Sequence, residues 1–509
     1  SRLGAEIVLG GEEKWLEERF ICYLAMTCMT DRLFISYPES ELSGTENTES
    51  ALMKEIKRLY PAVRTENMAE LPETDLVETL ASALPVYARE SSKDTAQAQT
   101  VRTLLIEDSI CRVKIQRMEE ALQNRQFVMK NPALSRTLFG ENMAVSPTRL
   151  EQFYTCKFKY FCQYGVKARP LQKAEFSPLE AGSVFHYVLE AVISRYPGGE
   201  LAEVSAKELA GLVEQLLDEY LSKVMQGKEN KTARFRYLFA RLKNSLVKLL
   251  LQLGAEFAQS EFTPCDFELP VSFEEGIRPI VLDIASGGKI FVEGRVDRAD
   301  IFVRDDQKYV RVVDYKSGAK EFKLSDVYNG LNMQMLVYLF SIWQNGAEKY
   351  QDVLPAGVLY MPVQGKIPEV DRHADDEEAA AVSRSAYKMN GLILSDTRVA
   401  AAMEKDISGV FIPAKLKKDM TFDSTSSVAS LAQMGAVKER VEKLIIGLAD
   451  ELRAGNIEAV PTISGSFDPC AYCDYFSVCL HEDKEQCRRL PRVSRREILE
   501  QLMEEHKNG

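Results

Sequence analysis

Positive charge is in deficit in this 509-residue chain, where 64 Lys and Arg face 76 Asp and Glu for a formal net charge of −12. A general polyanion binder is thereby excluded, and any nucleic-acid contact must come from a local basic patch. No apolar run reaches membrane-spanning length, and the first twenty residues lack the n-region and h-region of a signal peptide, so a cytoplasmic location is the default expectation. A G-x-x-x-x-G-K-[ST] phosphate loop is missing. Gly287-Gly288-Lys289 is followed by Ile290 between strand-like segments and reads as a turn, so ATP hydrolysis by this chain is not expected. There is neither an internal repeat nor a low-complexity tract. Histidine is scarce, with His186 alone in the first 372 positions. The ten cysteines, in a chain of this size without a secretory signal, argue against a disulfide framework and for core thiols or a metal centre.

The length calls for two or three domains. The opening, EIVLGG-EEKWLEERFICYLAMTCMTDRLFISYP, carries a strand-like IVL, a helix and a second strand-like run, RLFISY. Its abrupt start is expected of a piece of a longer protein. Polar text with helix signals follows, then one or two amphipathic helices over 101–135. Pro, Gly and Asn cluster before Ser146-Pro147, an N-cap and N1 pair, which places the main boundary near Met143. Apolar positions 184, 185, 188, 189, 192 and 193 mark an amphipathic helix. Strand-like alternation runs from Phe267 to Asp314, with turns at Gly287-Gly288 and Arg304–Gln307. Helix is expected over 332–344, a buried strand over 357–363, mainly helix over 376–455, and a polar, fraying helix at the end. The domains expected are 1–142, 143–487 and a tail over 488–509.

The chemistry concentrates between Phe291 and Tyr338. Asp297 lies in GRVDRADI and Asp314 in VVDYKSG, on segments that read as neighbouring strands. Side chains in a strand alternate faces, so Asp314 and Lys316 point the same way and Tyr315 the opposite way. Gln334 and Tyr338 are i and i+4 on the following helix, one above the other. Two carboxylates that can hold a divalent cation and a lysine that can orient water form a kit for phosphodiester hydrolysis. His186, in Gly182-Ser-Val-Phe-His186, offers a neutral imidazole as third ligand, and Glu190 shares its face, as an orienting group or as a solvated one. Cys470-x2-Cys473-x5-Cys479 is a thiolate signal one ligand short, with Cys156, Cys162 and Cys487 as candidates for the fourth. Residues 223–248 hold eight Lys/Arg against one Glu, interleaved with aromatics. Arg234, Arg236, Arg241 and Lys243 there are candidate phosphate contacts, a solvated helix face being the competing reading.

These motifs resemble the RecB-type nucleases of the PD-(D/E)XK superfamily, and the chain is similar to the C-terminal part of the AddB-type subunits of bacterial helicase–nucleases. The resemblance covers about 146–487. It implies an α/β fold: a restriction-endonuclease-like mixed sheet core with helical elaborations. It assigns metal binding to His186 (G-x-x-x-H), Asp297 (G-x-x-D from Gly294) and Asp314, with Lys316 completing D-x-K. Gln334 and Tyr338 (Q-x-x-x-Y) support the active site. In that family one cysteine before the nuclease core and three after it close a 4Fe–4S cluster, which assigns Cys156, Cys470, Cys473 and Cys479. The segment YLAMTCMTDRLFISY is similar to the last motor motif of superfamily 1 helicases. It has Cys28 and Met29 in mid-motif and keeps only Arg32, implying a degenerate helicase-like remnant ahead of the nuclease.

The function implied is a Mg²⁺- or Mn²⁺-dependent DNA exonuclease that processes double-strand breaks for recombinational repair. Its substrate would be single-stranded DNA from a processed duplex end, and its partner an AddA-like helicase subunit. A stand-alone iron–sulfur nuclease and a non-catalytic DNA-binding scaffold are the two competing readings. The helicase-like opening argues against the first, and the full set of nuclease motifs against the second.

Overall fold

The structure, a computed structural model, describes residues 127–169, 178–224, 233–316, 321–346, 350–363, 385–465, 467–479 and 486–508, and shorter stretches of the first 123 residues (19–24, 26–28, 35–38, 47–61, 83–84, 86–87 and 96–123). The chain divides into two compact units, Ser1–Arg125 and Gln126–Gly509.

In the first unit, helices Ala96–Glu107 and Ser109–Gln123 bury Val101, Leu105, Cys111 and Ile115 together with Val86 and Tyr87. Glu119 takes both the Tyr87 hydroxyl, at 2.6 Å, and Arg102 Nε, at 2.5 Å, and so ties the helices across their polar edge. The strand expected at IVL, and Arg32, lie outside the described residues. Of the strand expected at RLFISY, residues 35–37 are described and adopt no regular structure.

The second unit contains nine strands that matter to the site: β1 (Met143–Val145), β2 (Thr263–Val271), β3 (Val281–Asp283), β4 (Lys289–Val292), β5 (Gly294–Arg304), β6 (Gln307–Lys316), β7 (Val353–Pro362), β8 (Asn390–Leu394) and β9 (Val428–Ala429). The main sheet runs β2-β5-β6-β7-β8-β9, and β1-β4-β3 form a small second sheet. Pairing is antiparallel from β2 through β6, parallel at β6/β7, antiparallel at β7/β8 and parallel at β8/β9. The sheet is therefore mixed, as the resemblance implies. Asp305 and Asp306, both with positive φ (50° and 61°), make the two-residue turn between β5 and β6. β7 is buried along nearly its whole length and reads as a continuous apolar run because both of its faces are covered.

The principal helices are α1 (Pro147–Thr155), α2 (Pro178–Arg195), α3 (Ala206–Val224), α4 (Ala233–Phe257), α5 (Gln334–Asn345), α6 (Leu431–Arg453) and α7 (Arg495–Asn508). Ser146 caps α1 by accepting from Arg149 N–H, and Pro147 occupies its first turn. Val184, Phe185, Val188, Leu189, Val192 and Ile193 of α2 are all buried, as their spacing predicts. One face of the sheet meets α4 and the other meets α5. Glu256 of α4 reaches Arg311, whereas Gln334 of α5 reaches Lys316, and these two β6 residues point to opposite faces.

The compact units divide after Arg125, whereas the sequence signals place a boundary near Met143. Helix Pro132–Phe139 already belongs to the second unit, because Ser135 donates to Leu452 O at 2.6 Å and Phe139 packs on Tyr160. Two expectations are corrected here. Of the segment 376–455, the described residues 385–430 ahead of α6 are not mainly helical: Asn390-Gly-Leu-Ile-Leu394 is strand β8, a short apolar run too brief for periodicity to classify. The last helix, finally, is not fraying. α7 buries Ile498, Leu499 and Leu502, and Tyr328 donates to Glu505 at 2.6 Å.

Candidate active site and thiol recess

β5 and β6 carry Asp297 and Asp314 to the α5 face of the sheet. Asp314 is 2% exposed. Lys316 Nζ donates to its Oδ1 at 2.9 Å and lies 2.8 Å from Oδ2, which accepts no aligned hydrogen bond from the described residues. Asp297 Oδ2 accepts from Tyr315 N–H at 3.2 Å. His186, from α2, places Nε2 3.6 Å from the same Asp297 oxygen. Burial, and then repulsion from Asp314, push the Asp297 carboxyl up to about 7. Burial opposes the charged form of His186, but Glu268, Asp297 and Asp314 outweigh it and raise its pKa. Carboxylates crowded so that one resists ionising are what a cation relieves.

α5 backs this cluster. Lys316 Nζ is also 3.4 Å from Gln334 Oε1, and Gln334 N–H donates to Glu151 of α1 at 3.3 Å. The Tyr338 hydroxyl accepts from Arg295 N–H at 3.3 Å, and burial pushes its pKa up to about 12. A Cβ at Gly294 would overlap the Tyr338 ring and hydroxyl, which gives the glycine of G-x-x-D a physical cause in the tyrosine of Q-x-x-x-Y.

Sequence reasoning missed Glu268. Its Oε1 lies 3.0 Å from His186 Nδ1, and single ligand atoms of His186, Glu268 and Asp297 all fall within 4.8 Å of one another. Glu190, the other carboxylate considered beside His186, is exposed. The only local hint of Glu268 was a charged residue inside apolar strand text. The opposite face of the sheet holds a second surprise, a buried quartet. Arg298 donates to both Asp300 oxygens (2.8 and 2.9 Å) and, at 2.7 Å, to the Tyr315 hydroxyl. Arg311 donates at 2.7 Å to Asp300 Oδ2 and at 2.7 Å to Glu256 Oε1. Burial disfavours the Arg298 charge, yet Asp300, Tyr315 and Glu256 hold it protonated.

Cys156, at the junction after α1, lines one recess with Cys470, Cys473 and Cys479, walled by Phe158, Ala459, Pro461, Pro469 and Phe476. None of the ten cysteines is in a disulfide. Cys162 is buried beside Phe158 and Tyr475 in the adjoining apolar cluster, and neither it nor Cys487 lines the recess. Burial raises the Cys156 pKa and pushes Cys470 up to about 12, so an apolar wall disfavours thiolates that a bound metal centre would stabilise. Four thiols at one apolar recess suit an iron–sulfur cluster.

Of the four candidate DNA contacts, Arg234 and Arg236 fall in α4, with side chains outside the described residues. Arg241 is exposed, and Lys243 pairs with Glu214 of α3 at 2.8 Å. No helix among the described residues is long and apolar enough to cross a membrane.

Residues 144–480 match the family model described as the PD-(D/E)XK nuclease superfamily. The chain is similar to AddB, a subunit of the ATP-dependent helicase/deoxyribonuclease, from Clostridium tetani, with 27% identity over 493 residues covering 94% of this chain and 43% of the relative. The corresponding AddB of Alkaliphilus oremlandii is 29% identical, with 98% and 45% covered. That of a Thermoanaerobacter species is 28% identical, with 92% and 42% covered. The chain thus spans less than half the length of these curated relatives.

Proposed function

Because the chain belongs to the PD-(D/E)XK nuclease superfamily, we propose that it is the metal-dependent deoxyribonuclease part of a helicase–nuclease and hydrolyses phosphodiester bonds of single-stranded DNA. The resemblance to AddB-type subunits drawn from the motifs is borne out by relatives that carry that subunit's name. The observation that carries the reading is the convergence of His186, Asp297, Asp314 and Lys316, from one helix and two strands, on one face of the sheet. His186, Asp297 and Asp314 would hold Mg²⁺ or Mn²⁺. A cation there supplies a Lewis acid for the phosphate and an acidified water. Lys316, held between Asp314 and Gln334, is set to orient the attacking water and offset charge growing on the phosphate. Gln334 limits where that ammonium can go, and Tyr338 anchors the β5 backbone two residues before Asp297.

Exonucleolytic action at double-strand breaks and an AddA-like helicase partner belong to the same proposal, as does a 4Fe–4S cluster on Cys156, Cys470, Cys473 and Cys479. That cluster would join the start of the nuclease unit to its end. The test is Mg²⁺-dependent degradation of linear single-stranded DNA by the chain and its Lys316→Ala variant. We expect a loss of about 10²-fold or more. Undiminished cleavage by the variant would remove Lys316 from the mechanism, and no cleavage by the parent chain, alone or with its helicase partner, would favour the scaffold reading.

A further inference from the structure

We propose that Glu268 is a positioning residue that fixes the tautomer of His186, accepting a hydrogen bond from its Nδ1–H so that the Nε2 lone pair faces Asp297 and the cation site; this rests on the nuclease reading above. The two ring nitrogens face different carboxylates. Nδ1 is 3.0 Å from Glu268 Oε1, inside hydrogen-bond range, and Nε2 is 3.6 Å from Asp297 Oδ2, beyond it. One neutral imidazole has one N–H, and the shorter, better-formed contact claims it. An Nε2–H tautomer would instead aim a proton at the cation and leave Nδ1 lone pair against carboxylate. A carboxylate behind a metal-binding histidine also raises the basicity of the ligating nitrogen.

The backbone shows that this placement is maintained against a cost. Glu268 has φ 47°, in the left-handed region that a residue with a Cβ enters only at a steric cost. It sits between Phe267 and Leu269, which pair with Arg298 and Val296, so it stands across the ladder from Asp297. Among the described residues nothing else holds the carboxylate closely: Arg295 Nε is 3.9 Å from its other oxygen. A merely structural residue at such a position would be better served by glycine, which adopts positive φ freely.

That contrast supplies the test. ¹⁵N-histidine spectra of the metal-free chain at alkaline pH report the tautomer directly, with only four histidines to separate and the His186 signals identified by His186→Asn. The expected parent spectrum has Nδ1 protonated and Nε2 bare. Glu268→Gly should lose that preference and weaken Mn²⁺ binding, measured calorimetrically, by about 10–100-fold. Its thermal midpoint should hold or rise, since backbone strain is relieved. Glu268→Gln keeps an oxygen acceptor and should retain the tautomer, with a loss of Mn²⁺ affinity smaller than that of Glu268→Gly. Equal loss of Mn²⁺ affinity in Glu268→Gln and Glu268→Gly would make Glu268 a charged ligand rather than a positioning residue. A parent His186 protonated on Nε2 would overturn the inference while leaving the nuclease reading intact. Failure of the parent chain to bind Mn²⁺ with the Nδ1–H tautomer in place would do the reverse.

Discussion

Replacing Arg311 by methionine removes one corner of the quartet behind the candidate active site, and its cost can be worked from the contacts. Arg311 makes two charge-assisted hydrogen bonds of 2.7 Å, one to Asp300 and one to Glu256. At about 1.5–3 kcal/mol each, they bracket the roughly 3–5 kcal/mol found when a buried ion pair loses one partner. The loss is acute for Glu256, which is fully buried and, among the described residues, would keep only Arg298 Nη2, 4.0 Å away. Glu256→Met should cost a similar amount, because it strands Arg311 with one excess positive charge. The double variant should not cost the sum. It deletes one charge of each sign and leaves the two-pronged Arg298–Asp300 pair intact, so about 0–3 kcal/mol is expected in place of roughly 6–10. Urea unfolding followed by the fluorescence of Trp343 in α5, in a Trp15→Phe background, reads the second unit selectively. Additive single costs, or single variants within about 1 kcal/mol of the parent, would refute the claim that the quartet acts as one neutral unit.

Gly294→Ala should place a methyl against the Tyr338 ring, cost about 1–3 kcal/mol and lower cleavage, with partial recovery on Tyr338→Phe; recovery is read by midpoint and by activity. Glu404 is buried yet its pKa is lowered, because the backbone N–H groups of Ile412, Val410 and Phe411 and the Ser408 hydroxyl outweigh desolvation. A depressed carboxyl stabilises the fold above its unfolded value and loses that contribution as pH falls through the folded one. Glu404→Gln should therefore flatten the acid limb of the stability profile below about pH 4.5. Asp297 has the opposite sign: its pKa is raised, so the cation-free chain should lose stability as pH climbs from 3.8 toward 7, and added Mg²⁺ should oppose the loss. Cys156→Ser should abolish iron and acid-labile sulfide in anaerobically purified protein, while Cys162→Ser and Cys487→Ser should leave both in place.

Legibility in the sequence followed how locally each feature is encoded. Asp314, Tyr315 and Lys316 were placed on their faces by strand alternation, and Gln334 and Tyr338 by helical spacing, because each relation spans four residues or fewer. The buried strand at 357–363 was equally readable from its unbroken apolar run. Glu268 was not, since its meeting with His186 is made by an 82-residue excursion and by a left-handed backbone no composition announces. Arg298, Asp300 and Arg311 were hidden by the same rule that revealed Asp314. Alternation marks a charged residue opposite the apolar face as solvated, and that holds only while the second face is open to water. Here α4 closes it, and charges that read as surface become a neutral, fully buried layer. That layer then bears on the chemistry. Tyr315 takes a hydrogen bond from Arg298 through its side chain on the α4 face, while its backbone N–H is donated to Asp297 on the α5 face. One residue thus spans the sheet and links Asp297 to a charge network that no nuclease motif contains.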